Sequence, residues 1–220
     1  MFNVCHDCGA YRPDKTIEPR GPFATCPVCG HKHSFLQLPL LIISGASGTG
    51  KSTVCHNLLG TLDEVVLLDS DILWRREFDR PEDNYRDFFE TWLRICKNIA
   101  QSGRPVVLFG AGMGIPANME PCIERRYFSE LHYLALTCEA KLLAARLGER
   151  PKWQNGRDPA FMEEQIRFNR WFRANASKTA PPIELLDTTR LTIQETTTQV
   201  ASWIRQKLAT GPAADRRAQR

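Results

Sequence analysis

The sequence lacks the features that identify membrane, exported and repeat proteins. Its 220 residues show no internal repeat, and the N-terminus has no basic region followed by a long apolar stretch. A run of about 18 apolar side chains, which a membrane span would need, is also missing. A membrane-spanning helix and an export signal are therefore not expected. We expect a cytoplasmic protein that has no membrane partner.

The chain also lacks a large net charge. The formal net charge is only +4 although 25% of the residues are charged, so net charge does not indicate a nucleic-acid partner. Residues 211–220 hold three arginines among small residues and have no apolar periodicity, which predicts a disordered tail. A contact between this tail and nucleic acid or phosphate is the less favoured alternative.

The eight cysteines do not form a disulfide framework, and four of them have the spacing of a metal site. Two C-x-x-C pairs, each followed by glycine, are separated by 17 residues. This spacing is typical of tetrahedral Zn²⁺, and a glycine lets the chain reverse beneath the metal. Four-thiolate zinc usually has no open position for a substrate, so we expect a structural zinc rather than a catalytic one. The predicted ligands are Cys5, Cys8, Cys26 and Cys29.

The segment that carries these pairs is predicted to be a zinc ribbon over residues 1–36. It is too short to bury enough apolar surface alone, so zinc would supply its folding free energy. His6, His31 and His33 are possible substitute ligands, but four cysteines already complete the shell and we expect these histidines at the surface. The other cysteines, Cys55, Cys96, Cys122 and Cys138, stand singly among apolar residues and are expected to be buried thiols of a reducing compartment.

A phosphate-binding loop gives the clearest functional indication. Residues 45–52 read Gly-Ala-Ser-Gly-Thr-Gly-Lys-Ser after an apolar run, a full match to G-x-x-x-x-G-K-[ST]. Such a loop turns backbone N–H groups around a polyphosphate, Lys51 adds a charge, and Ser52 can place its hydroxyl on Mg²⁺. A chance match is less favoured because the order strand, loop and helix also fits. The expected triphosphate-binding residues are Gly45, Ala46, Ser47, Gly48, Thr49, Gly50, Lys51, Ser52 and Thr53.

Apolar runs alternate with amphipathic segments along the rest of the chain. This alternation predicts an α/β fold with a five-stranded parallel sheet flanked by helices, over residues 37–210. Each predicted strand is short and almost wholly apolar, as expected for strands covered on both faces. The predicted strands are 38–44, 65–69, 105–109, 132–137 and 183–186. Helices are predicted over 51–59, over 85–101 with its aromatic side chains in the core, and from a Thr192–Glu195 capping box to about residue 209.

Two carboxylates follow the second predicted strand. Asp69 and Asp71 would face the phosphate loop, where Asp69 can hold Mg²⁺ and Asp71 can accept a proton from an attacking hydroxyl. The alternative is that they cap a helix beginning near Ile72. We favour catalysis or substrate binding for Asp71.

With these residues, the chain resembles the P-loop small-molecule kinases, the group of adenylate, shikimate and gluconate kinases and nucleoside-kinase-like relatives, over roughly residues 38–209. The resemblance implies a P-loop NTPase fold with strand order 2-3-1-4-5 and transfer of a phosphoryl group from ATP with Mg²⁺. It implies that Asp69 and Asp71 touch metal and acceptor, and that residues 110–114, Gly-Ala-Gly-Met-Gly, line the acceptor pocket. The zinc ribbon lies outside the standard kinase core.

A basic run stands where this family has a mobile lid, and it consists of Arg146, Arg150, Lys152 and Arg157. Arg146 and Arg150 have the i, i+4 spacing of one helical face, which lets both guanidinium groups reach one polyphosphate before Pro151 ends the helix. We expect them to be catalytic because charge on the transferred group must be balanced. Solvated helix-surface arginines are the alternative.

The acceptor is the least determined part of the prediction. Trp74, Arg75 and Arg76 could stack a flat ring and neutralise an acidic group, or Trp74 could be core and the arginines solvated. A base at Asp71 favours a hydroxyl acceptor, and family analogy favours a nucleoside or nucleotide.

Two other functions stay open: a nucleotide-gated module whose ribbon binds RNA, DNA or a protein, and a regulatory ATPase. A nucleic-acid partner is less favoured, because the ribbon has mixed charge and only Tyr11 and Phe23 for stacking.

Overall fold

The fold is described by a computed structural model that covers residues 3–18, 20–150 and 158–210. The predicted disordered tail at 211–220 and the lid residues Pro151, Lys152 and Arg157 lie outside this range. Within it, no helix has both the length and the apolar composition of a membrane span.

The N-terminal segment forms a small antiparallel sheet of three strands, β1 (Thr16–Glu18), β2 (Phe23–Thr25) and β3 (Lys32–Ser34). One cysteine pair precedes β1 and the other forms the turn between β2 and β3. Gly9 and Gly30 close these two turns at φ 72° and 76°, a left-handed conformation that glycine adopts without strain.

The rest of the chain is built on a parallel five-stranded sheet. Its strands are β4 (Leu40–Ser44), β5 (Val66–Asp69), β6 (Val106–Phe109), β7 (Leu131–Thr137) and β8 (Ile183–Asp187). The spatial order is β5-β6-β4-β7-β8, so the order 2-3-1-4-5 is confirmed. β4 and β6 are wholly buried and β7 almost so, whereas β8 has three exposed residues and Leu185 is 42% exposed. The prediction that every strand is covered on both faces is wrong for β8, because it is an edge strand with fewer neighbours.

Helices cover both faces of this sheet and create two cores. α1 (Lys51–Leu58) and α6 (Ile193–Thr210) pack on one face, and the core on the other face includes residues of α2 (Arg86–Ala100), α3 (Pro116–Met119) and α5 (Pro159–Asn175). α4 (Ala140–Gly148) follows β7.

The predicted helices and their end signals agree closely with these bounds. The capping box is present, since Thr192 N–H donates to Glu195 Oε2 at 2.8 Å and Glu195 N–H donates to Thr192 Oγ1 at 3.2 Å. Phe88, Trp92 and Cys96 of α2 are buried in the core, as predicted. All four single cysteines are buried free thiols.

Candidate functional site

The phosphate loop connects the end of β4 to the start of α1. Gly45, Gly48 and Gly50 have φ values of 139°, 90° and 102°, which side-chain-bearing residues rarely adopt. Space is a second constraint at Gly45, because a Cβ there would lie 2.3 Å from the carbonyl oxygen of Leu136. The loop therefore requires glycine for both its backbone angles and its approach to β7.

Lys51 lies inside this loop. Its Nζ donates to the carbonyl oxygens of Gly45 at 2.7 Å and Ala46 at 3.0 Å. Burial lowers the pKa of Lys51 to about 8, while the charges of Asp71 and Asp69 act in the opposite direction. An anion that enters the loop would stabilise the charged form of this ammonium group, because the anion compensates the charge that burial disfavours.

A cavity of about 310 Å³ opens above the loop. It brings Lys51, the two carboxylates and Arg150 to a single space, although they come from three separate parts of the chain. The lining residues are Ser47, Gly48, Gly50, Lys51, Ser52, Thr53, Asp69, Asp71, Phe109, Gly110, Ala111 and Arg150.

Asp69 and Asp71 differ in their local contacts. Asp69 caps the 3₁₀ turn Ser70–Leu73, since its Oδ1 accepts the Asp71 N–H at 3.0 Å. Capping therefore belongs to Asp69 and not to Asp71. Burial, followed by the nearby charge of Asp69, raises the pKa of Asp71, and Lys51 and Arg150 oppose that shift. A carboxylate with a raised pKa is a stronger proton acceptor.

Arg146 and Arg150 do not share a helical face, so that prediction is wrong. α4 ends at Gly148, a residue of low helix propensity, and Arg150 lies two residues beyond it. Arg150 lines the first cavity, whereas Arg146 lines a second one of about 190 Å³. The other residues of the second cavity are Gly48, Thr49, Gly50, Thr53, Val54, Thr188, Leu191, Ile193 and Thr196. The cavities meet at Gly48, Gly50 and Thr53.

The glycine-containing segment 110–114 forms part of the other wall of the first cavity. Ser44 Oγ donates to the Ala111 carbonyl at 2.6 Å, and Asn118 Nδ2 donates to the Gly112 carbonyl at 2.8 Å. A Cβ at Gly114 would lie 2.0 Å from Ser44 Cβ, so only glycine fits this approach to β4. The segment is thus fixed against the end of the strand that leads into the phosphate loop.

Two amide side chains of α5 were missed by the sequence analysis. Gln165 Oε1 accepts the N–H of Ser47 in the phosphate loop at 2.8 Å. One turn later, Asn169 bonds both the N–H and the carbonyl of Cys138 at the end of β7, at 3.2 and 2.7 Å. No local pattern identifies these residues, since their partners are 118 and 31 positions away.

Trp74 is not a core residue, because it is 48% exposed. Its ring packs edge-on against Phe88, with centroids 5.2 Å apart. The Arg75 guanidinium lies 5.0 Å from the Phe78 ring centroid, a cation–π distance. The described lining of the first cavity does not include Trp74.

The cysteine pairs converge on one point. The four Sγ atoms lie within 4.8 Å of one another, with Cys5 and Cys29 at 3.6 Å and Cys8 and Cys26 at 3.9 Å. A tetrahedral Zn–S distance of about 2.3 Å corresponds to sulfur separations of about 3.8 Å. The donor set therefore fits four-coordinate zinc.

The surroundings of two of the four sulfurs favour thiolates, whereas burial and the neighbouring sulfurs raise the pKa of Cys29 to about 12. Backbone N–H groups lower the pKa of Cys5 and lower that of Cys26 to about 6. His6 and His31 are exposed as predicted, but His33 is only 8% exposed. The prediction that His33 lies at the surface is wrong, because β3 turns it to the same face of the small sheet as its neighbour Ala24, which is fully buried.

Comparison with known proteins places the chain in a family. Residues 40–174, more than half of the chain, match the family described as "AAA domain". Comparison with curated proteins gives no match.

Several solved structures with a similar fold are named as kinases. A sugar kinase from a Janibacter species has 15% identity and a TM-score of 0.55, covering 77% of this chain and 95% of that one. A shikimate kinase from Bacteroides thetaiotaomicron has 18% identity and a TM-score of 0.51, covering 76% of this chain and 98% of that one. A gluconokinase from Sinorhizobium meliloti has 16% identity and a TM-score of 0.51, covering 78% of this chain and 99% of that one. Identities this low establish the fold and not the substrate. The chain belongs to the AAA domain family and has the fold of the P-loop small-molecule kinases.

Proposed function

We propose that the protein is an ATP-dependent kinase that transfers the γ-phosphoryl group to a hydroxyl of a small molecule, with a nucleoside or nucleotide as the favoured acceptor. The observation that carries the proposal is the first cavity, where Lys51, Asp71 and Arg150 face one space. These groups supply a phosphate clamp, a proton acceptor and a second cation, which are the parts that phosphoryl transfer requires.

The two cavities suggest how ATP lies across the loop. The polyphosphate would follow the backbone N–H groups of residues 45–53, with its terminal group beside Lys51 and Arg150. The nucleoside would enter the second cavity between Arg146 and the segment after β8, where Thr188 and Leu191 stand. Arg146 and Arg150 would then act at opposite ends of the same nucleotide.

Magnesium would be held by oxygen ligands, which Mg²⁺ prefers. Ser52 and Asp69 line the first cavity together, and their hydroxyl and carboxylate oxygens fit this chemistry. Bound Mg²⁺ would neutralise phosphate charge during transfer.

Asp71 would act on the acceptor. As the acceptor oxygen forms its bond to the γ-phosphorus, its proton passes to the Asp71 carboxylate. The bond between the γ-phosphorus and the bridging oxygen breaks at the same time, and ADP leaves with that electron pair. Lys51 and Arg150 balance the charge on the transferred group and the leaving oxygen.

The acceptor would lie between the segment 70–85, which carries Asp71 and Trp74, and residues 110–114; we call these two segments the acceptor wall. The exposed Trp74 ring offers a stacking surface, and this supports a flat-ring acceptor such as a nucleoside.

Zinc in the four-cysteine cluster would hold the ribbon, residues 1–36, as a structural unit attached to the kinase unit, residues 37–210. The buried free thiols support a reducing, cytoplasmic location.

The test uses full-length protein with ATP labelled in its γ-phosphoryl group and a pooled panel of nucleosides, nucleotides, sugars and hydroxy acids. Mass detection should find one class of product heavier by a single phosphoryl group, absent with Lys51→Ala. Labelled free phosphate without such a product would favour the regulatory ATPase. A protein that binds ATP and releases neither product would favour the nucleotide-gated binding module.

A further inference from the structure

A buried charged cluster joins the zinc ribbon to the kinase unit. Lys97 Nζ of α2 donates to Glu124 Oε2 and to Asn3 Oδ1, both at 2.5 Å, and Asn3 Nδ2 donates to Glu124 Oε1 at 2.9 Å. Arg94 Nε donates to the same carboxylate oxygen at 2.9 Å. Asn3, Lys97 and Glu124 are 8%, 1% and 0% exposed. The ribbon residue Asn3 therefore completes a buried ionic cluster with Lys97 and Glu124.

The residue that directly follows α2 holds the ribbon at a second point. Gln101 bonds both backbone groups of Leu36, accepting its N–H at 2.8 Å and donating to its carbonyl at 3.0 Å. Nearby, the Tyr127 hydroxyl donates to the Pro13 carbonyl at 2.7 Å. The ribbon is thus bonded to α2 and to the segment 123–127 rather than tethered only through the chain.

The N-terminal half of the same helix holds the acceptor wall. Phe88 packs against Trp74 and Phe78 at centroid distances of 5.2 and 5.3 Å. The Phe89 ring lies beneath Gly112, where an added Cβ would be 3.5 Å from its Cζ. One rigid helix of 15 residues therefore contacts the ribbon at one end and both segments of the acceptor wall at the other.

We propose that the zinc ribbon positions the acceptor wall through α2. When the ribbon is folded on zinc, it seals the Glu124 cluster and fixes the register of α2, which fixes the segment that carries Asp71. The phosphate loop leads into α1, which packs with α6 on the opposite face of the sheet from α2. Loss of the ribbon contacts would loosen the acceptor wall and leave the triphosphate side in place. The term acceptor wall rests on the proposed function, but the coupling of these segments to the ribbon through α2 does not.

The test compares Asn3→Leu, which removes the bridge and keeps all four cysteines, with Lys32→Ala as the control. Lys32 is exposed, and its ion pair in the described part of the chain, with Glu18 at 2.8 Å, lies within the ribbon. Both full-length variants are labelled with fluorotryptophan for fluorine NMR, and Trp74→Phe assigns the Trp74 signal. Trp203 on α6 serves as the internal reference. Zinc content and hydrogen exchange of α2 and α1 are measured on the same samples.

In Asn3→Leu we expect an unchanged zinc content, a shifted Trp74 resonance and an unchanged Trp203 resonance. Hydrogen exchange in α2 should be faster by about fivefold or more. Exchange in α1 should change by less than about twofold. Gln101→Met, which breaks the second attachment, should act in the same direction. Chelating the zinc of the unmodified protein should give a larger response of the same pattern.

An unchanged Trp74 signal and unchanged α2 exchange in both variants would overturn the proposal. Equal changes in α1 and α2 would also overturn it, because they would indicate general destabilisation. MgATP binding is measured separately by calorimetry. If the α2 response occurs and no MgATP binds, the kinase proposal fails and the coupling stands.

Discussion

The two sides of the candidate site are built in different ways. The triphosphate side is one continuous segment, residues 45–53, whose geometry follows from three left-handed glycines and the start of a helix. The acceptor wall combines two separated segments made largely of 3₁₀ turns, held by contacts with α2 and the end of β4. The geometry of a site made from contiguous backbone depends on few other residues. The geometry of a site assembled from separate segments depends on every contact that positions those segments. Substitutions should therefore affect the two sides separately.

The largest effect should come from Lys51→Ala on the triphosphate side. Removing the ammonium group leaves the polyphosphate charge unbalanced, so turnover of ATP should fall by about 10³-fold. Lys141→Ala is the matched control, since Lys141 is exposed on α4. The two variants are compared by steady-state ATP turnover. Comparable turnover in both would remove Lys51 from the chemistry.

Asp71→Asn should separate the two sides. An amide cannot take the acceptor proton, so transfer should fall by about 10²-fold while the Kd for MgATP stays within about threefold. Asp63→Asn, at an exposed position between α1 and β5, is the control. Calorimetry gives the Kd and product mass gives the transfer rate. Full transfer in Asp71→Asn would contradict the base assignment.

The two arginines should give opposite kinetic signatures. Arg150→Met should lower kcat by about tenfold, because its charge faces the transferred group. Arg146→Met should instead raise KM for ATP by about tenfold with little change in kcat, because Arg146 lines the second cavity. Steady-state kinetics at varied ATP distinguishes them. Identical signatures would mean that the two cavities do not hold different ends of one nucleotide.

Cys5→Ser should act on the ribbon and only mildly on turnover. Loss of one thiolate should release the zinc and lower the melting temperature by roughly 5 °C. The acceptor KM should rise by about threefold while MgATP affinity is kept. Metal analysis and thermal melting are compared with Cys55→Ala, which removes a single buried thiol. Full zinc occupancy in Cys5→Ser would refute the four-cysteine site.

The smallest effect concerns stability and pH. The pKa of Asp71 is raised in the folded protein, so its ionised form is disfavoured there and destabilises the fold above that pKa. The penalty disappears below the unfolded value of about 3.9. Asp71→Asn should therefore be slightly more resistant to urea than the unmodified protein at pH 7 and equal to it near pH 3. Denaturation midpoints at both values test this, and a less stable variant at pH 7 would contradict the raised pKa.

Local patterns were sufficient for the contiguous parts of the molecule. The five strands and the cysteine cluster agree with the structure, because each depends on residues close in sequence or on strongly apolar runs. The order of the strands in the sheet followed instead from the resemblance to the P-loop small-molecule kinases. The i, i+4 spacing of Arg146 and Arg150 gave a wrong prediction, since it assumes that both residues are helical. In the structure the helix ends at Gly148. Gln165 was missed because its role exists only when α5 packs beside the loop. The buried position of His33 likewise depends on how the small sheet folds and packs.

The most direct test of the central account is calorimetric titration of folded, zinc-loaded and magnesium-supplied protein with ATP. We expect saturable binding at one site per chain, abolished in Lys51→Ala and retained in Asp71→Asn. Absence of binding to any purine or pyrimidine triphosphate would contradict the account, because the loop would then not be a triphosphate site.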